Sequence, residues 1–247
     1  MEITSRNNEL IKEIIKLKDK KQRDNTGLIL LEGYKLFEEA LKSNLKVKHI
    51  LTTKDYFDNN ESLKKYSSKI IFISETVCEK LSFTKSHLNF FSVVEKPKNT
   101  SFNTSFVILD NIQDPQNLGA IIRTCVATNI RDIYSLNSVD EFNDKTIRAS
   151  MGNVFKVFIK HIDINELKEI CKNKEVYSAN LNGENLFTIK KPNGNFGLIL
   201  GSEGQGVSKE VENFATKIIT IPMQNNTESL NVAVSFSVIA FNLINNN

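Results

Sequence analysis

Apolar positions along this chain fall into short blocks whose spacing switches between the helical and the extended period. Leu10, Ile11, Ile14, Ile15 and Leu17 recur at helical spacing and predict a helix over residues 6–20. A short apolar run at Leu28–Leu31 then ends at Glu32-Gly33. Further on, the pattern predicts a helix over 34–42, a strand over 47–51, part of a helix over 61–66, a strand over 70–73, a helix over 75–81 and a strand over 90–94. After a polar stretch the alternation restarts. Strands are expected at 106–110, 132–136, 154–159, 175–179, 196–200 and 217–221, with helices at 117–128, 145–151, 164–172, 208–214 and 229–243. Strands interleaved with helices predict an α/β protein: a small N-terminal α/β/α domain, then a C-terminal, mostly parallel sheet covered on both faces.

The polar stretch over 96–105 contains Pro97, several Asn, Ser and Thr residues, and no periodicity. It is expected to be a linker between a domain over 1–95 and one over 106–247. Composition changes the picture little. With 40% hydrophobic and 25% charged residues in 247 positions, the chain can bury a substantial core. Its net charge of +3 is too small to diagnose nucleic-acid binding. Distribution says more, since Lys12, Lys16, Lys18, Lys20, Lys21 and Arg23 crowd the first 25 residues. Such a run is either a solvated helix face or a contact for RNA phosphates. The N-terminus lacks the apolar core of a signal peptide. The apolar stretch near Val232–Ile244 is short for a bilayer and is broken by Ser235, Ser237 and Asn242. A cytoplasmic protein without membrane spans is expected. Cys78, Cys125 and Cys171, and likewise His49, His87 and His161, are scattered, so no disulfide framework, zinc site or bound metal is expected.

Chemistry gathers in three segments, each at the end of an apolar strand where a helix begins, the edge at which open α/β sheets bind ligands. In the first, Asp114-Pro115 is a turn, Asn117 is expected to cap the helix, and Gly119-Ala120 permits close packing. Arg123 stands in an otherwise apolar segment, where it either reaches solvent or is held for an anion such as phosphate. The second, Gly201-Ser202-Glu203-Gly204-Gln205-Gly206, is neither a P-loop nor a dinucleotide fingerprint. It is a turn that a ligand can approach closely, and Glu203 disfavours a pyrophosphate there. In the third, Ile221-Pro222-Met223 ends a strand and Ser229 is the expected cap of the last helix.

These segments, in this order, resemble the SpoU/TrmH branch of the SPOUT family of RNA 2′-O-ribose methyltransferases. The matching residues are Asn111, Gln113, Asp114, Pro115, Asn117, Gly119, Ala120 and Arg123, then Gly201, Glu203, Gly204 and Gly206, then Ile221-Pro222-Met223 and Ser229-Leu230-Asn231. Arg148-Ala149-Ser150-Met151-Gly152 is similar to the family's serine-glycine segment. The front half, through Arg23, Gly27 and Glu32-Gly33, resembles the ribosomal-protein-like (L30e/L7Ae-like) substrate-binding domain often fused to these enzymes.

The resemblance implies a SPOUT-like sheet with a deep trefoil knot, S-adenosyl-L-methionine as cofactor, and a homodimer. It implies catalytic roles for Arg123, Asn117, Glu203, Ser229 and Asn231, and cofactor contacts at Gly201, Gly206, Ile221, Met223 and Leu230. RNA contacts are expected at Arg23, Lys18, Lys20, Lys21 and Arg148. The activity implied is methylation of a ribose 2′-hydroxyl, in 23S-type rRNA ahead of tRNA. The rival of another class is an RNA-binding or ribosome-assembly factor of the same fold that has lost the reaction.

Overall fold

The structure, a computed structural model, describes residues 2–225 and 229–244. Residues 226–228 of the third motif's polar loop and Asn245–Asn247 lie outside the described residues. The chain divides into two compact units, Met1–Lys98 with Phe142–Asp144, and Asn99–Glu141 with Lys145–Asn247.

The first unit is built on five strands: β1 (Glu2–Ile3), β2 (Leu28–Glu32), β3 (Val47–Thr52), β4 (Ile70–Ile73) and β5 (Phe90–Glu95), in the order β1-β4-β3-β5-β2. β5 runs antiparallel to β2 and β3, whereas β4 is parallel to β1 and β3. Alternation along the strands feeds two cores. Leu51 and Phe91 join Ile11 and Ile14 of α1 (Glu9–Lys16) and Val77 of α5 (Glu75–Leu81). Their neighbours Ile50 and Phe90 join Phe37 of α3 (Tyr34–Lys42) and Leu63 of a 3₁₀ segment, Glu61–Lys69. The result is the expected α/β/α layering.

The helix expected over 6–20 is two helices. Apolar periodicity stops at Leu17, and Asp19 caps α2 (Lys20–Thr26) by accepting from Lys21 N at 2.7 Å. α2 is polar throughout, so it has no periodic signal. It ends where Gly27 takes a left-handed φ of 67°.

The second unit holds β6 (Phe106–Asp110), β7 (Asp132–Leu136), β8 (Phe158–His161), β9 (Glu175–Asn185), β10 (Phe196–Leu200) and β11 (Lys217–Thr220). They form one six-stranded sheet, ordered β11-β9-β10-β6-β7-β8, with every neighbouring pair parallel. The two central strands, β6 and β10, are buried along their whole length, which is why their sequences are unbroken apolar runs. The helices are α6 (Pro115–Ala127), α7 (Asp144–Ala149), α8 (Ile164–Cys171), α9 (Lys209–Glu212) and α10 (Val232–Ile244).

Two expectations differ in detail. The strand expected at 154–159 is a 3₁₀ turn, Asn153–Lys156, followed by β8, because Gly152 at φ 77° turns the chain and Val154 and Phe155 plug the core side by side. β9 also outruns its expected end at residue 179. A Cβ at Gly183 would lie 2.5 Å from the Ile219 carbonyl carbon, so glycine there lets β9 and β11 meet backbone to backbone.

Of the stretch expected to be a linker, Lys96 is bonded to Asp24 and Gly27 of the first unit, and the part from Asn99 on is fastened to the second. Asn99 Nδ2 donates to the carbonyls of Phe155 and Val157 at 3.1 and 2.7 Å. Ser101 Oγ, Phe102 N and Thr104 N donate to the Asp132 carboxylate at 2.9, 2.8 and 3.3 Å. Asp132 is buried, and these donors replace water around its carboxylate. The polarity that suggests a loop is used up as hydrogen bonding.

Candidate active site

The first helix of the site begins one turn earlier than expected. Asp114 caps α6, accepting from Gln116 N at 2.9 Å, and Pro115 occupies the first helical position, where no N–H is needed. Asn117 therefore does not cap the helix, and its amide is free for other partners. Its Nδ2 donates to the Glu203 carboxylate, and its Oδ1 accepts from Asn231 Nδ2 at 2.9 Å. Asn231 Oδ1 in turn accepts from Ala233 N and Val234 N at 2.9 and 3.3 Å. Asn231, rather than Ser229, is thus the cap of α10. One chain of side-chain hydrogen bonds joins all three motifs, with a carboxylate at one end and a helix N-terminus at the other. Those end groups fix which way both amides point.

α6 can approach the chain around residue 149 because Gly119 has no side chain. A Cβ at Gly119 would lie 2.4 Å from Ala149 Cβ and 2.8 Å from Ser150 N. This close approach accounts for the Arg148–Gly152 segment as packing. Arg148 itself sits half-buried on α7. Arg123 is exposed on α6, so the expected tension between its charge and the apolar helix face does not arise. Among the described residues no hydrogen bond or ion pair engages its guanidinium.

Beside the Asn117 chain lies a cavity of about 450 Å³, within the range of small-ligand sites. The predicted cofactor residues Gly201, Gly206, Ile221, Met223 and Leu230 all line it, together with Glu203 and Ser229. Among the described lining residues there is no Lys or Arg, and Glu203 is the one acidic side chain. Such a lining suits an aromatic, neutral or cationic ligand and not a phosphate. Sequence reasoning missed Ala179, Asn180 and Leu181, which line the cavity from β9. They carry no glycine, proline or charge to flag them.

Gly201 also shapes its own loop. A Cβ there would fall 2.0 Å from the Gly206 carbonyl carbon and 2.1 Å from Val207 N. The hairpin closes through Ser202 N and Gly206 O at 3.1 Å and Gly206 N and Ser202 O at 2.9 Å. Gly201 is needed so that the loop can fold on itself, and it also lines the cavity. A second cavity, of about 430 Å³, shares Ser202, Gln205 and Gly206 but is lined by Asp110, Asp163 and Glu210, away from the Asn117 chain.

In the first unit, much of the expected basic surface is structural. Arg23 is only 5% exposed, and its Nη1 donates to the carbonyls of Leu17 and Lys18, both at 2.8 Å, closing the corner between α1 and α2. Lys18 Nζ donates to the carbonyls of Lys80 and Ser82 at 3.1 and 2.6 Å and stands 5.1 Å from the Phe83 ring centre. Burial pushes the Lys18 ammonium below its ordinary pKa. Lys20 is exposed and bonds Asp24 at 2.8 Å, and Lys21 is exposed. Glu32 is buried and accepts from Ser82 Oγ, Phe83 N and Leu88 N at 2.7, 2.8 and 3.3 Å. The Glu32-Gly33 pair is therefore a brace for the loop before β5.

Residues 104–241 match the profile of the SpoU rRNA methylase family, and residues 8–87 that of the MRM3-like substrate-binding domain. A Bacillus subtilis protein named 23S rRNA (guanosine(2553)-2′-O)-methyltransferase RlmP is 30% identical over 98% of this chain and 98% of its own. A solved RNA 2′-O ribose methyltransferase superposes with a TM-score of 0.83 at 25% identity, covering 99% of this chain and 98% of that one. An rRNA methyltransferase from Sinorhizobium meliloti with S-adenosylmethionine bound gives 0.83 at 26% identity, covering 98% and 97%. No helix among the described residues is long and apolar enough to cross a membrane.

Proposed function

The chain belongs to the SpoU rRNA methylase family, and from that premise we propose that it methylates a ribose 2′-hydroxyl of large-subunit ribosomal RNA in the cytoplasm. The observation that carries this reading is the cavity without basic residues set against the Asn117–Glu203–Asn231 chain. The Bacillus relative's printed activity supports the large-subunit ribose as the target.

S-adenosylmethionine supplies an electrophilic methyl group on a sulfonium. Gly201, Gly206, Ile221, Met223 and Leu230 would hold the cofactor in the cavity that they line, and the Glu203 carboxylate there would favour its cationic charge. Asn117 and Asn231 keep that carboxylate in place, and Ser229 lies at the cavity wall beside them. Arg123 is free to bind the target nucleotide's phosphate and steer its 2′-oxygen. The cofactor would supply the methyl group to the 2′-oxygen, whose proton would leave to water or to a nearby acceptor. Guanidinium does not take it, because Arg123 stays protonated. Alignment and electrostatics then supply most of the acceleration.

Residues 1–98 choose the RNA in this reading, with the exposed Lys20 and Lys21 among their phosphate contacts. A homodimer completes it. Val234 and Phe241 are exposed, large and apolar, two turns apart on α10, and are the residues we assign to the subunit contact. The family's trefoil knot is assigned to the second sheet, where the chain leaves β10 in the interior and returns at the edge as β11.

The test is incubation of the purified protein with methyl-labelled S-adenosylmethionine and unmodified large-subunit rRNA. Label in an alkali-stable dinucleotide, lost in Arg123→Ala, is expected. Label on a base, or on tRNA alone, overturns the reading.

A further inference from the structure

We propose that Glu75, Cys78 and His87 form a binding site for one divalent cation of zinc-like character in the first unit. α5 carries Glu75 and Cys78 three residues apart and so on one face of the helix. His87 returns to that face from the loop that precedes β5. A carboxylate oxygen, the thiol sulfur and an imidazole nitrogen all lie within 4.8 Å of one another. Ligands of a tetrahedral zinc ion, bound at about 2.0–2.3 Å, stand roughly 3.3–3.8 Å apart. Side-chain movements of about 1 Å therefore close the site.

The surroundings resemble the outer shell of a metal centre. Asn89 Oδ1 is hydrogen-bonded to His87 Nδ1, and Asn89 Nδ2 donates to Glu75 Oε1 at 3.3 Å. One residue thus orients two of the three ligands, the role that carbonyl and carboxylate groups play behind metal-bound histidines. With the proton held at Nδ1, the Nε2 lone pair faces Glu75 Oε2 at 3.5 Å. Two acceptors placed so need either a proton or a cation between them. A bare Glu75–His87 ion pair meets that need without Cys78, which packs in the core of α1 and α5 with its sulfur near both groups.

The donor set names the ion. A buried sulfur, an imidazole and one carboxylate favour zinc over magnesium or calcium, which take oxygen ligands. A thiolate and a carboxylate neutralise a dication, so the buried side of the site carries no net charge. Glu75 is exposed, leaving the fourth position to water. The ion would staple the loop already braced by Glu32, tying Ser82–Asn89 to α5 at both of its ends. This inference stands apart from the methyl-transfer reading, because no residue of the second unit takes part.

The test uses the full-length protein, stripped with a chelator and titrated with cobalt(II) and zinc(II). Binding of about one cobalt per chain is expected, with a thiolate-to-cobalt charge-transfer band that is lost in Cys78→Ser. Zinc is expected to raise the melting temperature of the wild type and leave that of His87→Ala unchanged. His87→Ala removes only a partly exposed side chain, so the outcome does not depend on a folding failure at the buried cysteine. Equal metal binding by wild type and His87→Ala, or a cobalt spectrum without the thiolate band, overturns the proposal.

Discussion

The two units treat their polar residues in opposite ways. In the first, the charges that stand out in the sequence are consumed by the fold: Arg23 closes a helix corner, Lys18 ties down carbonyls, and Glu32 braces a loop. In the second, the standout residues hold one another at the sheet edge and beside a cavity, as Asn117, Glu203 and Asn231 do, while Arg123 faces solvent. Residue type alone does not separate these cases, since each unit has its arginine and its glutamate beside glycine. The separation comes from burial. A guanidinium at 5% exposure has to satisfy its donors within the protein, whereas an exposed one is left available for a ligand.

Substitutions at the two arginines probe the contrast most directly. Arg123→Ala is expected to lower methyl transfer by about 10²–10³-fold, the scale of losing one aligned electrostatic contact, with the melting temperature unchanged. Steady-state rates and a thermal melt on the same preparation check it. A melt that falls along with the rate would put Arg123 in the class of Arg23.

Next in size is a pair of truncations. A fragment that starts at Asn99 keeps every donor to Asp132. One that starts at Asn103 loses the Ser101 and Phe102 donors and both Asn99 bonds. The shorter fragment should be less stable by about 3 kcal/mol in denaturant titration, since a buried carboxylate loses partners. Equal stability would mean that residues 99–102 are a tether after all.

Arg23→Ala is expected to cost about 2–3 kcal/mol of folding stability, from the loss of hydrogen bonds made by a buried charge. It should leave unchanged the slope of RNA affinity against salt. A shallower slope at unchanged stability would return Arg23 to the RNA surface. The smallest effect is assigned to Lys21→Ala, which should reduce that slope by about 1 and weaken binding severalfold without touching the melt. No change in the slope would move the RNA surface off α2.

Much of this architecture was readable in the chain. β4, β6, β7 and β10 fall on the expected residues, because each is a short block rich in β-branched and aromatic residues bounded by polar or turn residues. The three motifs announce themselves through glycine, proline and amide residues at strand ends; the Asn117–Glu203–Asn231 hydrogen bonds gather them, and the second and third line the cavity. What stayed hidden depends on three-dimensional partners. Asn117 reads as the helix cap in sequence, and only the bond from Gln116 N to Asp114 shows that the Asn117 amide is spare. Ala179–Leu181 join the cavity because β9 runs on past its apolar start. Residues 99–104 looked like loop because their hydrogen-bond acceptor, Asp132, lies some 30 positions away. Cys78 and His87 look isolated for the same reason.

The hairpin at Gly201–Gly206 also governs how this family member can diversify. Position 201 is closed to every side chain by the backbone at 206, and Gly206 sits at a φ of 67°, where side chains are strained. A change at 201 demands a simultaneous shift of the Gly206–Val207 backbone that faces it, whereas 206 has open space and a left-handed φ that this chain's asparagines also adopt. Gly204 has open space within 4 Å. Inheritable variation can therefore enter the hairpin at its tip but not at position 201. A lineage evolving toward a different target can re-dress the loop's outer surface while the pinch beneath it stays fixed.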